Sequence, residues 1–302
     1  MNRFLVWIQA FRLRTLPLAL ASAILGSFLA YADGQFNSTV FWLAILTTIL
    51  LQILSNLAND FGDSHHGTDN VNRVGPERTV QSGKISKTEM KRLISVFIIL
   101  SFVSGGILIF SGIKNADAGM ILLFFGLGIA SIIAAVKYTV GKNPYGYSGL
   151  GDLFVFIFFG LLGVCGTYFL HTNQLEPLLL LPAASIGLLS AGVLNLNNMR
   201  DIENDAASGK KTLVVRMGSD YAKLYHTSLI VLSLVLSVIY VVETWQSVYQ
   251  LMFLLSVFPL GFHLYEVFQN HVPQKLNNQL KVLALTTFFF SVTYSLGIFL
   301  IK

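Results

Sequence analysis

Nine stretches of this 302-residue chain run for about 20 residues with almost no charge, the length a helix needs to cross the hydrocarbon layer of a bilayer. They lie near residues 15–32, 39–58, 93–112, 118–136, 152–170, 178–198, 225–242, 246–263 and 282–301. Charged residues make up 12% of the chain, about half the share usual in soluble domains, and 54% of residues are hydrophobic. The expected fold is all-α: a multi-pass membrane bundle of nine transmembrane helices, forming a single domain over residues 1–302.

The cations give the bundle an orientation, because Lys and Arg gather on the cytoplasmic side of membrane proteins. With a cytoplasmic N-terminus, nine spans put eighteen of the twenty Lys and Arg inside and leave only Lys114 and Lys302 outside. A span missed or invented near the middle would scatter that division. The N-terminus is therefore expected in the cytoplasm and the protein in the cell membrane. The net charge of +5 then reflects topology and an anionic ligand, not nucleic acid. The opening "MNRFLVWIQAFRLRTLPLAL" is interrupted by Arg12 and Arg14 and lacks a convincing small-residue cleavage site, so it is expected to be retained. Residues 3–12 read as an interfacial helix with Trp7 and Phe11 at headgroup level. Cys165, the single cysteine, has no internal partner and reads as a packing residue.

The connections are unequal. Outside ones, such as 33–38, 113–117, 171–177 and 243–247, are short, whereas the inside loops at about 59–92 and 199–224 are long and a third covers 137–151. Long loops in compact folds carry function unless they are disordered, and neither long loop has a disordered composition. Both begin alike. The second span ends "NLANDFGD", giving Asn56, Asp60 and Asp63; the sixth ends "NLNNMRDIENDAASGKK", giving Asn197, Asn198, Asp201 and Asp205. Spacings of three and four put such side chains on one helical face. The repetition suggests a weak internal repeat whose two acidic ends face each other.

Carboxylates at a membrane boundary can simply be solvated. Here, however, they stand at helix C-termini, where the macrodipole disfavours negative charge by about 0.3–1 kcal/mol each. A compensating cation is expected, and ligands offering only oxygen favour a hard ion such as Mg²⁺. His65 and His66 are adjacent and read as loop residues. Mg²⁺ is commonly held by one or two carboxylates together with substrate phosphates, so two acidic clusters suit a diphosphate. "GPERTVQSG" supplies Arg78, "GKKTLVVRMG" supplies Lys210 and Lys211, and "KYTVGKNPYGY" supplies Lys137, Tyr138 and Lys142.

The N-D-x-x-D run from Asn59 to Asp63, the D-x-x-x-D motif from Asp201 to Asp205 and the Y-x-x-x-K element from Tyr138 to Lys142 resemble those of the UbiA-type intramembrane aromatic prenyltransferases. The resemblance covers nearly the whole chain. Within that family, "GTDN", "GPERTVQSG", "YSGLGDLFVF" and "NNMRDIENDAASGKKTLVVRMG" look most like the branch that prenylates 1,4-dihydroxy-2-naphthoate in menaquinone synthesis. One departure stands out: Gly67 occupies the place of a third Asp, and Asp69 is the nearest substitute.

The resemblance implies that Asp60, Asp63, Asp201 and Asp205 are catalytic and hold Mg²⁺, with Asn56, Asp69 and Asn198 as further ligands. Arg78, Tyr138, Lys142, Lys210 and Lys211 would bind the diphosphate of a polyprenyl diphosphate donor. An electron-rich aromatic acceptor would attack the allylic cation inside a cavity that excludes water, losing CO₂ in the naphthoate branch and giving demethylmenaquinone. A 4-hydroxybenzoate or haem prenyltransferase is the alternative within the family. A secondary transporter of an anionic solute is the rival outside it, although transporter sites usually lie near the membrane midplane.

Overall fold

The computed structural model describes residues 3–70, 74–113 and 117–301. Its helices in chain order are α1 (Arg3–Phe11), α2 (Leu16–Ala32), α3 (Ser38–His66), α4 (Lys87–Gly112), α5 (Ala118–Lys137), α6 (Gly151–Thr172), α7 (Pro177–Arg200), α8 (Ile202–Ala207), α9 (Leu213–Met217), α10 (Ser219–Glu243), α11 (Val248–Gln269) and α12 (Pro273–Phe299). Among the described residues, nine helical segments are long and apolar enough to cross a membrane, and each overlaps one of the nine predicted spans. The protein is a multi-pass membrane protein.

The helix ends follow local chemistry. Asn37 caps α3 by accepting from the backbone N–H groups of Thr39 and Val40, and Ser86 with Glu89 forms a reciprocal capping box on α4. Pro177 and Pro273 open α7 and α12, where a missing N–H costs nothing. The structure differs from the sequence expectation at the end of α3. Hydropathy falls at Asn59, but the helix continues to His66 and ends only at Gly67, whose φ of 74° closes it in the left-handed region. The first motif is thus helical, as its spacing implies, and both histidines are helical, not loop. The second long connection is also partly helical, containing α8 and α9.

Between α1 and α2 the chain turns at Arg12, a non-glycine residue at φ 51°. Val6 and Ala10 of α1 are buried, and Trp7 and Phe11, expected at headgroup level, pack partly buried against the α3–α4 cluster around Leu54, Leu57 and Met90. The Phe11 and Phe97 rings meet edge to face at 5.5 Å. A larger cluster joins α2, α6, α7, α10, α11 and α12, and Cys165 packs at its edge. Within α6, residues Phe156–Gly166 form a π-helix. Such widened turns recur at functional sites. Outward side chains such as Trp42, Phe110, Leu122 and Phe258 are exposed and apolar, a surface suited to lipid and not to water.

The two ends of the bundle are chemically distinct. One gathers the C-termini of α3, α5 and α7 with the acidic motifs. At the other, Tyr168 donates to Asp33, His171 Nδ1 accepts from the Asn37 N–H at 3.0 Å, and Asn173 donates to the Gly112 carbonyl at 2.8 Å. In a Cys165→Ser background, cysteines placed at His65 and Ala207 are therefore expected to react with an impermeant thiol reagent from the same side of the membrane. A cysteine at Gln174 should react from the opposite side, and labelling of positions 65 and 207 from different sides would contradict the arrangement.

Candidate active site

A cavity of about 440 Å³ runs down the middle of the bundle, walled chiefly by α2, α3, α5, α6 and α7. Its body is apolar, lined by Leu18, Leu51, Phe124, Phe158, Phe159 and Leu162 among others. Its polar mouth is formed by Asn56, Asn59, Asp63, Arg78, Tyr138, Asn197, Arg200, Asp201, Asp205 and Lys210, with Arg12, Arg14, Asn277 and Lys281 on the same lining.

Two glycines let the middle loop reach this mouth. A Cβ on Gly62 would lie 2.5 Å from Thr139 Oγ1 and 2.6 Å from its carbonyl oxygen, and a Cβ on Gly146 would lie 2.6 Å from the Tyr138 carbonyl oxygen. Bare backbone at both positions seats residues 138–147 against α3. Thr139 then donates to the Ala58 carbonyl at 3.1 Å, fixing Tyr138 beside Asp63.

Tyr147 joins the two acidic motifs. Its hydroxyl donates to Asp63 Oδ1 at 2.9 Å and lies 2.5 Å from Thr68 Oγ1, while Lys210 Nζ sits 5.3 Å from the centre of its ring. Lys210 in turn stands 3.5 Å from Asp205 Oδ1. Backbone bonds hold the same junction: Asn204 donates to the Thr68 carbonyl at 2.8 Å, and the Lys211 N–H to the Tyr147 carbonyl at 2.9 Å. The facing of the two motifs is thereby realised. Asp201 is gripped by Arg200, with Nε on Oδ1 at 2.9 Å and Nη2 on Oδ2 at 2.5 Å. Arg200 also donates to Asn197 at 2.8 Å and Asn277 at 3.0 Å.

The sequence expectation and the structure part at several residues. Asp60 does not face the cavity. Its Oδ2 accepts from the Thr79 N–H at 3.1 Å and hydroxyl at 2.6 Å, and its Oδ1 from the Val80 N–H at 3.2 Å, so it caps the turn that carries Arg78. The cavity-facing stripe of α3 is Asn56, Asn59 and Asp63, one helical step away. The same rotation separates Asn197, which lines the cavity, from Asn198, which is buried outside its lining. Asp69 lies behind Arg78, with Oδ1 3.6 Å from Nε, and not on the cavity wall. Lys142 and Lys211 are exposed and outside the lining. Asn56 lines the cavity, but its Nδ2 donates to the Phe11 carbonyl at 3.0 Å and Thr15 Oγ1 at 2.9 Å.

Sequence reasoning named Asn59 and Asn197 within the motifs without giving them a role, and it passed over Tyr147, Arg200, Arg12, Arg14, Asn277 and Lys281 as site residues. Asn59 and Asn197 carried a signal, each standing four residues before a cavity aspartate. Arg12 and Arg14 were read as topology charges and as breaks in the apolar opening, and Tyr147 had no charge to mark it.

Electrostatics at the mouth are set by burial. Burial pushes the Asp205 carboxyl up to about 6, helped by Asp201 and Asp63 and opposed by Lys210. For Lys210 burial alone disfavours the ammonium, yet Asp63, Asp205 and Asp201 together outweigh it and hold its pKa above the ordinary value. Burial, and then the charges of Asp63, Asp152 and Asp205, keep Tyr138 a neutral phenol and hence a hydrogen-bond donor. Because the folded pKa of Asp205 is raised from 3.8, the stability linked to it is full at low pH and is lost as pH rises through about 6. Asp205→Asn is accordingly expected, in the absence of divalent ions, to gain in melting temperature on wild type as pH goes from about 4 to about 6 and to hold that margin at higher pH. Asp60→Asn should instead melt lower than wild type, because an amide NH₂ would replace one of the two oxygens that accept from Thr79 and Val80 and leave a buried donor unpaired, a cost of about 1–3 kcal/mol. Thermal unfolding of the purified variants checks both.

The sequence profile of the UbiA prenyltransferase family matches residues 19–293. The 1,4-dihydroxy-2-naphthoate octaprenyltransferase of Haemophilus influenzae is 44% identical over 295 residues, covering 97% of this chain and 95% of that protein. A UbiA homologue from Aeropyrum pernix shares the fold with a TM-score of 0.68 at 16% identity, covering 95% of this chain and 96% of that one. A UbiA homologue from Archaeoglobus fulgidus, solved with DMAPP and Mg²⁺, does so with a TM-score of 0.58 at 17% identity, over 94% of this chain and 98% of its own. A matching profile across most of the chain, and a relative of such identity along nearly all of it, show that this protein belongs to the UbiA prenyltransferase family.

Proposed function

We propose that this protein transfers a polyprenyl group from polyprenyl diphosphate to 1,4-dihydroxy-2-naphthoate, with loss of CO₂ and diphosphate, giving demethylmenaquinol, the hydroquinone form of demethylmenaquinone. The observation that carries the reading is a single cavity with carboxylates and cations at its mouth and a long apolar body, in a chain 44% identical to an octaprenyltransferase acting on that naphthoate. A donor with a charged head and an isoprenoid tail matches both halves. Burying each CH₂ of the tail contributes about 0.8 kcal/mol. The cation asymmetry supports an orientation in the cell membrane with the mouth toward the cytoplasm.

The mouth suits Mg²⁺. Asp205 Oδ2 and Asn59 Oδ1 are buried acceptors without a hydrogen-bond partner, and both residues line the cavity. Among the described residues no three His, Cys, Asp or Glu side chains are grouped to hold an ion unaided. Mg²⁺ is commonly held by one or two carboxylates together with phosphate oxygens, and a UbiA homologue has been solved with both DMAPP and Mg²⁺ bound. Asp63, Asp201, Asp205 and Asn59 are the ligands in this reading. When bound, Mg²⁺ neutralises the diphosphate and improves it as a leaving group.

Arg78, Lys210 and Tyr138 donate to the departing diphosphate, each already positioned at the mouth. The C–O bond breaks and its electron pair leaves with the diphosphate. The remaining allylic cation is kept from water by the apolar body, whose lining includes the aromatic side chains Phe158 and Phe159. The naphthoate ring carbon that bears the carboxylate attacks, and the electron pair of the C–COO⁻ bond returns to the ring as CO₂ departs. No proton has to be removed. Arg12, Arg14 and Lys281 offer cations for the acceptor carboxylate on the same lining.

Incubating the purified protein with octaprenyl diphosphate, Mg²⁺ and 1,4-dihydroxy-2-naphthoate should give a product of the prenylated, decarboxylated mass; a product from 4-hydroxybenzoate alone would overturn the acceptor assignment. Asp63→Asn and Asp205→Asn should each lose most turnover while remaining folded. Arg78→Ala and Lys210→Ala should slow acceptor-independent diphosphate release by about a hundredfold or more. Unchanged release with impaired product formation would move these cations to the acceptor side.

A further inference from the structure

The glycines around the cavity fall into two kinds. Of the four on its lining, two are crowded: a Cβ on Gly163 would lie 2.7 Å from Ser22 Cβ, and on Gly166 3.2 Å from Leu162 Cδ1. Gly163 thus lets α2 and α6 approach. Gly128 and Gly105 are different. Both line the cavity, yet no heavy atom lies within 4 Å of a Cβ on Gly128, and only Thr47 Cγ2, at 3.8 Å, does so for Gly105. Helix packing requires neither to be glycine, and Leu at either position would be the better helix former. What a side chain there would enter is the cavity's apolar body.

Their depths differ. α3 and α5 run in the same direction and are level where Gly62 meets Thr139. Gly128 precedes Thr139 by eleven residues, about 16 Å at 1.5 Å per residue. Gly105 is level with Thr47, fifteen residues before Gly62, and so about 22 Å down. With ordinary bond lengths and angles an extended carbon chain advances about 1.25 Å per bond, so the four backbone bonds of an isoprene unit span about 5 Å. Gly128 thus stands about three isoprene units below the carboxylates, and Gly105 between about four and five.

The geometry points to Gly128 and Gly105 as the residues that set which donor lengths the cavity accepts: their bare backbones keep it open to tails longer than about three and about four units respectively. The inference rests on the prenyl-transfer reading and assigns the tail a path along α5 past Gly128 and then between α3 and α4 past Gly105. It makes two graded forecasts from two positions on different helices.

The test is kcat/KM for 1,4-dihydroxy-2-naphthoate prenylation with geranyl, farnesyl, geranylgeranyl and octaprenyl diphosphate, using the full-length protein. Gly128→Leu should keep geranyl and farnesyl transfer within about threefold of wild type and lose at least tenfold with geranylgeranyl and octaprenyl donors. Gly105→Leu should keep geranylgeranyl transfer and lose at least tenfold with the octaprenyl donor. Gly128→Ala, whose methyl intrudes less, should shift the same profile by a smaller step. Product mass with mixed donors gives an independent readout, the variants enriching short-chain product. Equal losses at every length, unchanged octaprenyl transfer, or the two thresholds in reverse order would each overturn the assignment. A wild type inactive with all four donors would overturn the transferase reading itself, and an active wild type with length-blind variants only the role of these glycines.

Discussion

Lipid offers no hydrogen bonds, and the rest of this structure depends on that constraint. Every polar group along the spans has to find a partner inside the protein or lie at an end of the bundle. Deep in the C-terminal half, His226 and His263 face each other with Nε2 atoms 2.9 Å apart, and His263 Nδ1 lies 2.8 Å from Gln279 Oε1. Ser185 donates to the Ser233 carbonyl at 2.8 Å. Most of these groups answer one another, although His226 Nδ1 stays without a partner. At the mouth of the cavity Asp205 and Asn59 both keep buried acceptor atoms unmatched on one lining. In an environment that punishes unmatched polar atoms by several kcal/mol, such a concentration marks the place where a ligand completes the structure.

Charge at that mouth is balanced locally. Two helix C-termini bring negative carbonyl ends and carboxylates together, an arrangement unfavourable on its own. Arg200 answers Asp201, Lys210 answers Asp205, and Tyr147 shares its hydroxyl with Asp63. Burial still raises the Asp205 carboxyl, and Lys210 opposes that only in part. A site poised in this way binds cations and diphosphate together better than either alone, because each relieves the other's field.

The spans, their number and the pairing of the two acidic motifs were legible because hydropathy and helical periodicity are written residue by residue. Two things were not. Helix ends are set by hydrogen bonding and not by hydropathy, so hydropathy places Asn59–His66 in a loop although nothing stops the helix before Gly67. Rotation about a helix axis is also invisible when neighbouring residues are equally polar. Asn56–Asp60 and Asn59–Asp63 have the same spacing, and only the turn at Thr79 and Val80, which claims Asp60, decides between them. Tyr147 escaped notice because its role comes from four groups distant in sequence: Asp63, Thr68, Lys210 and the backbone of Lys211.

The turn at Arg12 reaches beyond geometry. Arg12 and Arg14 belong to the cavity lining, and Asn56 is fastened to Phe11 and Thr15. Part of the wall is therefore supplied by the short stretch between α1 and α2, ahead of the first full span. Because Asn56 and Asp63 share α3, a displacement of that stretch is transmitted to the helix that carries the aspartate, so the interfacial helix and the polar mouth move as one unit.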